Sequence, residues 1–143
     1  MLLTTKGRYA VMAMVDIAMN EGEKPVRLAC VAERQGIDQG YLEQLFVKLK
    51  KTELVKPIRG PGGGYKLTKP SAEIVVSEIM CAVEENIEMV RCNHGSEKGC
   101  LGSGAKCATH ELWQELGDRI NGFLESVSLA DICAKRINGG SDA

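Results

Sequence analysis

The sequence predicts a mostly α-helical fold that carries one small β-hairpin. Three observations lead there. Apolar residues recur at helical spacing in several stretches, most clearly Leu42, Leu45, Phe46 and Leu49. Gln35 and Gly36 interrupt two such stretches at short range, the pattern of helix, tight turn, helix. The run RGPGGG then joins two short stretches, Leu54 to Ile58 and Tyr65 to Thr68, as a loop joins two strands. With 143 residues the chain is one domain in size and long enough to bury a core.

Composition narrows the function classes. The longest apolar run, Ala10 to Val15, stops at Asp16, far short of the roughly 18 residues of a membrane span. The start MLLTTKGRYAV lacks the charged-then-apolar pattern of a secretory signal, so a cytoplasmic protein is expected. Its six cysteines would there be thiols or metal ligands. The net charge of -1 hides an asymmetry: residues 1–70 carry 12 Lys and Arg against 7 acids, and residues 71–143 carry 6 against 12. Lys48, Lys50, Lys51, Lys56, Arg59, Lys66 and Lys69 share one stretch with a single acid, Glu53. Such a basic half fits a polyanion partner, although charge alone fits a solvated lysine face equally well.

Element by element, Thr4 or Thr5 caps a first helix to Asn20, with Ala10, Ala13, Met14, Ile17 and Ala18 on one face. A short helix runs from Leu28 to Arg34. Asp38 is a good N-cap for a third, from Gln39 to Lys51. Its apolar residues define a buried face, so Gln39, Gly40, Glu43, Gln44 and Val47 project the other way. That is where a recognition helix offers side chains to base edges in the major groove. Gln pairs with adenine and Glu accepts from cytosine, whereas a Glu near phosphate repels it. A helix-turn-helix followed by a basic hairpin is a winged helix, with Arg59 at the wing base placed for the minor groove. A solvent-facing helix in a protein-interaction module is the competing reading.

Beyond Pro70 a connecting helix is expected from Val76 to about Glu85, with Ile79, Met80 and Val83 in the core. A long helix from Thr109 to Ser126 carries Trp113, Leu116, Ile120, Phe123 and Val127 at steps of three and four, the narrow seam of a helix that pairs with another helix. Leu112 and Leu124 widen the stripe enough to cover the chain's own core as well. A two-fold dimer built on this helix sets two recognition helices about one DNA turn apart and favours a near-palindromic site. Ser128 opens a last helix to Arg136, and the tail is expected to be loose.

Between these helices lies CNHGSEKGCLGSGAKCATH, from Cys92 to His110. Three thiols and an imidazole among Gly95, Gly99, Gly102 and Gly104 suit a soft metal or an iron-sulfur cluster. A structural zinc site is the alternative, but zinc prefers ligands paired at short spacing, and only Cys107 and His110 stand that close. His94 reads as solvent-facing. Cys30, Cys81 and Cys133 fall beside apolar residues in helical segments and read as buried structural cysteines. No catalytic Ser/His/Asp or paired-carboxylate constellation occurs, and the Gly-rich stretch enters a hairpin rather than a helix, so it is no nucleotide fingerprint. An enzyme is not expected; a redox carrier using the same cluster is a second reading.

The segments LTTKGRYAVMAMVDIAMN, AERQGI, GYLEQLF, RGPGGGYKL and HELWQEL, with the cysteine loop in register, closely resemble the IscR-type iron-sulfur cluster regulators, a branch of the dimeric winged-helix bacterial repressors. The likeness covers roughly residues 1 to 133. It implies a homodimer on near-palindromic double-stranded DNA and a 2Fe-2S cluster on Cys92, Cys100, Cys107 and His110, supplied by the cluster-assembly machinery whose genes the holo dimer represses. DNA contacts are then expected from Lys6, Arg8, Gln39, Gly40, Tyr41, Glu43, Gln44, Lys48, Arg59 and Gly60. Glu43 would penalise one class of site unless the cluster is bound. The chain divides on this reading into a DNA-binding region (1–70), a connecting helix (71–91), a cluster loop (92–110), a dimerisation helix with a C-terminal helix (109–136) and a tail (137–143). Two departures stand out: the spacing C-x7-C-x6-C-x2-H is longer than the family's, and Asp38 and Gly40 replace serines at the start of the recognition helix. The nitric-oxide-sensing branch is also similar, but it uses an acid near the N-terminus where Arg8 stands here.

Overall fold

The computed structural model describes residues 5–84 and 108–137 of the chain. Helix α1 (Thr5–Asn20) is the element around which the others gather. It packs against α2 (Leu28–Gln35), α3 (Gln39–Lys51), α4 (Val76–Ala82) and α6 (Leu129–Cys133). Its Ala10, Ala13, Met14 and Ile17 are fully buried with Val31, Leu42, Phe46, Leu49, Ile74, Ile79 and Leu129. The small residues at positions 10 and 13 let neighbouring helices approach, while Met14 and Ile17 fill the space between them.

The turn between α2 and α3 follows from one residue. Gly36 adopts φ +66, and its amide donates to the Ala32 carbonyl, closing α2 in a left-handed cap that a side chain would strain. Asp38 then starts α3 by accepting a hydrogen bond from the Tyr41 amide at 2.9 Å.

A hairpin follows, with β1 (Val55–Ile58) antiparallel to β2 (Gly64–Leu67) and Val55 opposite Leu67. Both strands begin one residue away from the expected starts. Leu54 bonds back to the Leu49 carbonyl, and Gly64 takes the pairing position opposite Ile58. A Cβ on Gly64 would collide with the Val26 carbonyl, because Val26 and Tyr65 exchange two backbone hydrogen bonds, at 2.7 and 3.0 Å, in an isolated bridge. The hairpin is thereby fastened to the segment ahead of α2.

After a 3₁₀ turn (Ser71–Glu73), α4 ends at Ala82, earlier than the expected Glu85. Val83 caps it, and Glu84 at φ +62 turns the chain out of the helical path. Helix α5 (His110–Ser126) starts one residue later than expected because Thr109 serves as its cap, accepting from the Trp113 amide at 3.2 Å through its carbonyl and from the Trp113 indole N–H at 3.1 Å through its hydroxyl. Helix α6 is shorter than expected, ending at Cys133. Ser128 and Asp131 satisfy each other's amides at 3.1 and 3.0 Å, a reciprocal cap at its start. The Val76 amide donates to Val127, and Leu129 to Ile74, so the end of α5 is stitched back onto the body.

Two expectations about burial do not hold. Cys30 and Cys81 are exposed and Cys133 is half-buried, because each sits on the rim of its helix beside, not within, the apolar stripe. Leu112 is 58% exposed and covers none of the core; only Leu124 and Val127 of that helix end reach the small cluster with Val76 and Met80.

Candidate nucleic-acid interface

Helix α3 separates its faces as its periodicity requires. Leu42, Leu45, Phe46 and Leu49 are buried, while Gln39, Gly40, Glu43, Gln44 and Val47 are exposed in a continuous strip starting at the N-terminal end. Val47, 64% exposed, adds an apolar element to an otherwise polar strip, the type of group that contacts a thymine methyl. Tyr41 is different: it is half-buried, its ring packs edge-on to Tyr9 at 6.1 Å, and its amide is taken up by Asp38.

The wing is held in a defined relation to this helix. Phe46 on the buried face of α3 meets Tyr65 of β2 with ring centroids 4.9 Å apart. The Arg27 guanidinium donates to the Pro61 carbonyl, and the Gly63 amide to the Gly60 carbonyl at 2.9 Å, which tightens the hairpin tip. Arg59 and Gly60 are exposed there, as are Lys56 and Ile58. A strip of exposed polar side chains and an exposed arginine on a fastened hairpin is an arrangement that can engage a duplex, the helix in one groove and the wing beside it.

Of the other candidate contacts, Arg8 is exposed near the start of α1. Lys6 and Lys48 are half-buried, and both amines reach the residue that ends the α4 segment: Lys6 Nζ donates to the Glu84 carbonyl at 3.3 Å, and Lys48 Nζ pairs with Glu84 Oε2 at 3.0 Å. The structure thus brings Lys6 and Lys48 together, from helices far apart in the chain.

Sequence reasoning passed over the polar centre of this half. Asp16, 2% exposed, accepts from Arg34 Nε at 3.0 Å and Nη2 at 2.6 Å, from Gln35 Nε2 at 2.9 Å and weakly from Asn20. Burial pushes its carboxyl up, but the hydrogen bonds from Arg34 and Gln35 and the Arg34 charge outweigh it, so the group lies below the usual carboxylate range. The bond network pins α1 to the last turn of α2, directly before the turn that aims α3. Its signal in the sequence is an acid at position 16 adjoining the buried positions 13, 14 and 17.

The candidate cluster ligands divide. Cys92, Cys100 and Cys107 lie outside the described residues, as does His94. His110 is described: it is 7% exposed and occupies the first turn of α5. Among the described residues no three His, Cys, Asp or Glu side chains come together to hold a metal ion, and no helix is long and apolar enough to cross a membrane.

Comparison with known proteins gives this arrangement its context. The family described as Rrf2, iron-dependent transcriptional regulator, matches residues 3–135. The HTH-type transcriptional regulator IscR of Photorhabdus laumondii is 54% identical over 132 residues, covering 92% of this chain and 79% of that protein. The regulator of the same name from Escherichia coli O1:K1 is 51% identical over 132 residues, covering 92% and 80%. Among solved structures, T. potens IscR superposes with a TM-score of 0.76 at 34% identity, covering 100% of this chain and 93% of that one. CymR, the global cysteine regulator of B. subtilis, superposes at 0.79 with 31% identity, covering 94% and 98%. These relatives are transcriptional regulators and not enzymes, and the winged helix is the fold they share with this chain. The chain belongs to the Rrf2 family of iron-dependent transcriptional regulators, as an IscR-type DNA-binding member.

Proposed function

We propose that this regulator is a cytoplasmic homodimeric repressor that senses iron-sulfur cluster status and controls cluster-assembly genes. In this reading residues 1–70 read a near-palindromic promoter site, 71–91 connect, 92–110 hold a 2Fe-2S cluster received from the assembly machinery, 109–136 pair the two copies, and 137–143 form a tail. The observation that carries it is the position of His110. It is buried in the first turn of α5, three residues after Cys107, on the helix whose Trp113, Leu116 and Phe123 stay exposed along one seam.

Three thiolates and one imidazole suit a 2Fe-2S cluster, and histidine ligation raises its potential relative to all-cysteine ligation. When bound, the cluster supplies sensitivity to iron supply and oxidants. The protein's own part is positional. The place of His110 at the root of α5 links the loop to the seam between copies, where apolar side chains at three- and four-residue steps match a second copy of the same helix. At the DNA, Gln39, Gly40, Glu43 and Gln44 face bases. Lys6, Arg8, Tyr41, Lys48, Arg59 and Gly60 are assigned to position the duplex. Glu43 discriminates between site classes, since a carboxylate is favourable only where a cytosine amine meets it.

Anaerobic purification tests the proposal directly. The protein should be brown, with about two irons per subunit. Cys92→Ala should lose the cluster and bind a cluster-assembly promoter fragment about tenfold or more weakly than the holo protein. A colourless protein with one zinc per subunit would instead support a zinc-stabilised regulator without sensing.

A further inference from the structure

Lys6 and Lys48, two of the cations assigned to the DNA-facing side, converge on one residue. Lys48 lies in the last turn of α3, and its amine pairs with the Glu84 carboxylate at 3.0 Å. Lys6, in the first turn of α1, donates to the main-chain carbonyl of the same residue at 3.3 Å. Glu84 holds φ +62, a conformation uncommon for a residue with a side chain. That conformation ends the α4 segment and presents carbonyl and carboxylate to two different lysines. The Lys51 charge reaches the same carboxylate, which is held below the usual glutamate range first by the hydrogen bond and charge of Lys48 and more weakly by Lys6 and Lys51.

We infer that Glu84 is an internal competitor of the DNA backbone: its carboxylate occupies Lys48, and its carbonyl Lys6, in the free protein, and a phosphate must displace it. The inference rests on the assignment of Lys48 to the DNA interface. Both groups present acceptor oxygens, and the carboxylate also the negative charge, that a phosphodiester presents, so the same ammonium satisfies either partner but not both in the same geometry. The pair is open to solvent, with Glu84 at 74% and Lys48 at 39% side-chain exposure. An exposed ion pair contributes little to folding and is easily exchanged, which suits a contact that must give way. Its consequence appears in binding: a lysine already neutralised by Glu84 releases fewer counterions' worth of affinity when it meets phosphate.

The test is a double-mutant cycle read on binding, using the full-length protein purified anaerobically and a fluorescent duplex of mixed sequence, titrated over a range of salt. Glu84→Gln should tighten binding about threefold to tenfold and steepen the salt dependence by about one ion. Lys48→Met should weaken binding and flatten the salt dependence by a similar amount. In the Lys48→Met background the gain from Glu84→Gln should fall by more than half, because the lysine it releases is gone. An equal gain in both backgrounds overturns the proposal and leaves Glu84 as a diffuse charge. Glu84→Gln without effect also overturns it. If Lys48→Met binds like the parent, Lys48 is no DNA contact, and both the assignment and the competition fall. If Lys48→Met weakens binding while Glu84→Gln is neutral, only the competition falls. Unchanged helical circular dichroism of the variants confirms that each reports on binding.

Discussion

The two longest helices of the described chain are both amphipathic, yet they use their apolar faces in opposite ways. In α1, Ala10, Ala13, Met14 and Ile17 are fully buried, and helices from both halves of the chain pack around them. In α5, Leu112, Trp113, Leu116 and Phe123 remain exposed, and the end of the helix reaches the small cluster with Val76 and Met80 through Leu124 and Val127. Their charges differ in the same sense. Asp16 of α1 is buried and saturated with donors, whereas Glu115 and Arg119 of α5 form an exposed pair one turn apart. Apolar periodicity therefore says that a face will be covered, without saying whether the cover comes from the same chain. Helix α1 is completed within the described chain; the exposed side chains of α5 are the ones the proposed homodimer would cover.

This contrast is open to attack at both ends. The largest effect should come from Ile17→Ala, which opens a cavity under α1 and should cost about 2–5 kcal/mol in urea unfolding. A much smaller loss would mean that the centre collapses readily and that α1 is not the hub. Next is Asp16→Asn, which removes the charge from a buried acceptor of three donors. Arg34 is partly exposed and can turn to water, so the expected loss is on the order of 2 kcal/mol at neutral pH. Because the folded Asp16 lies below its unfolded value, its stabilisation is present above the unfolded carboxyl range and disappears as pH falls through the folded one. The gap between parent and Asp16→Asn should thus narrow below about pH 4 and stay level above it. The smallest is Phe123→Ala, expected to weaken self-association about tenfold, or about 1.4 kcal/mol, in sedimentation over a concentration series while leaving helix content intact. Should Phe123→Ala leave the association unchanged, the seam of α5 has another occupant and the comparison loses its second half.

Much of the winged-helix half was legible from local chemistry. The span Gln39 to Lys51, the Asp38 cap, the Gly36 turn and the split of α3 into buried and exposed faces all depend on residues within one or two helical turns. The hairpin was legible for the same reason, with its strand starts displaced by one residue because a remote segment, Val26, pairs with Tyr65 and claims the space beside Gly64. The cysteines illustrate the limit. Helical segments with apolar neighbours made Cys30, Cys81 and Cys133 look buried, but a residue one step off an apolar stripe lies at its rim, and only the packed neighbours decide which side of the rim it occupies.

By itself the sequence determined the order and type of the main elements, the exposed face of α3 and the family, since periodicity, caps and turn residues act over short distances along the chain. Tertiary structure alone decided that Asp16 is the charged clamp behind the turn and that Lys6, Lys48 and Glu84 share one place. Those contacts join residues 18 to 78 positions apart. No short-range rule of spacing reaches that far; only the packing of one helix against another sets which charges meet.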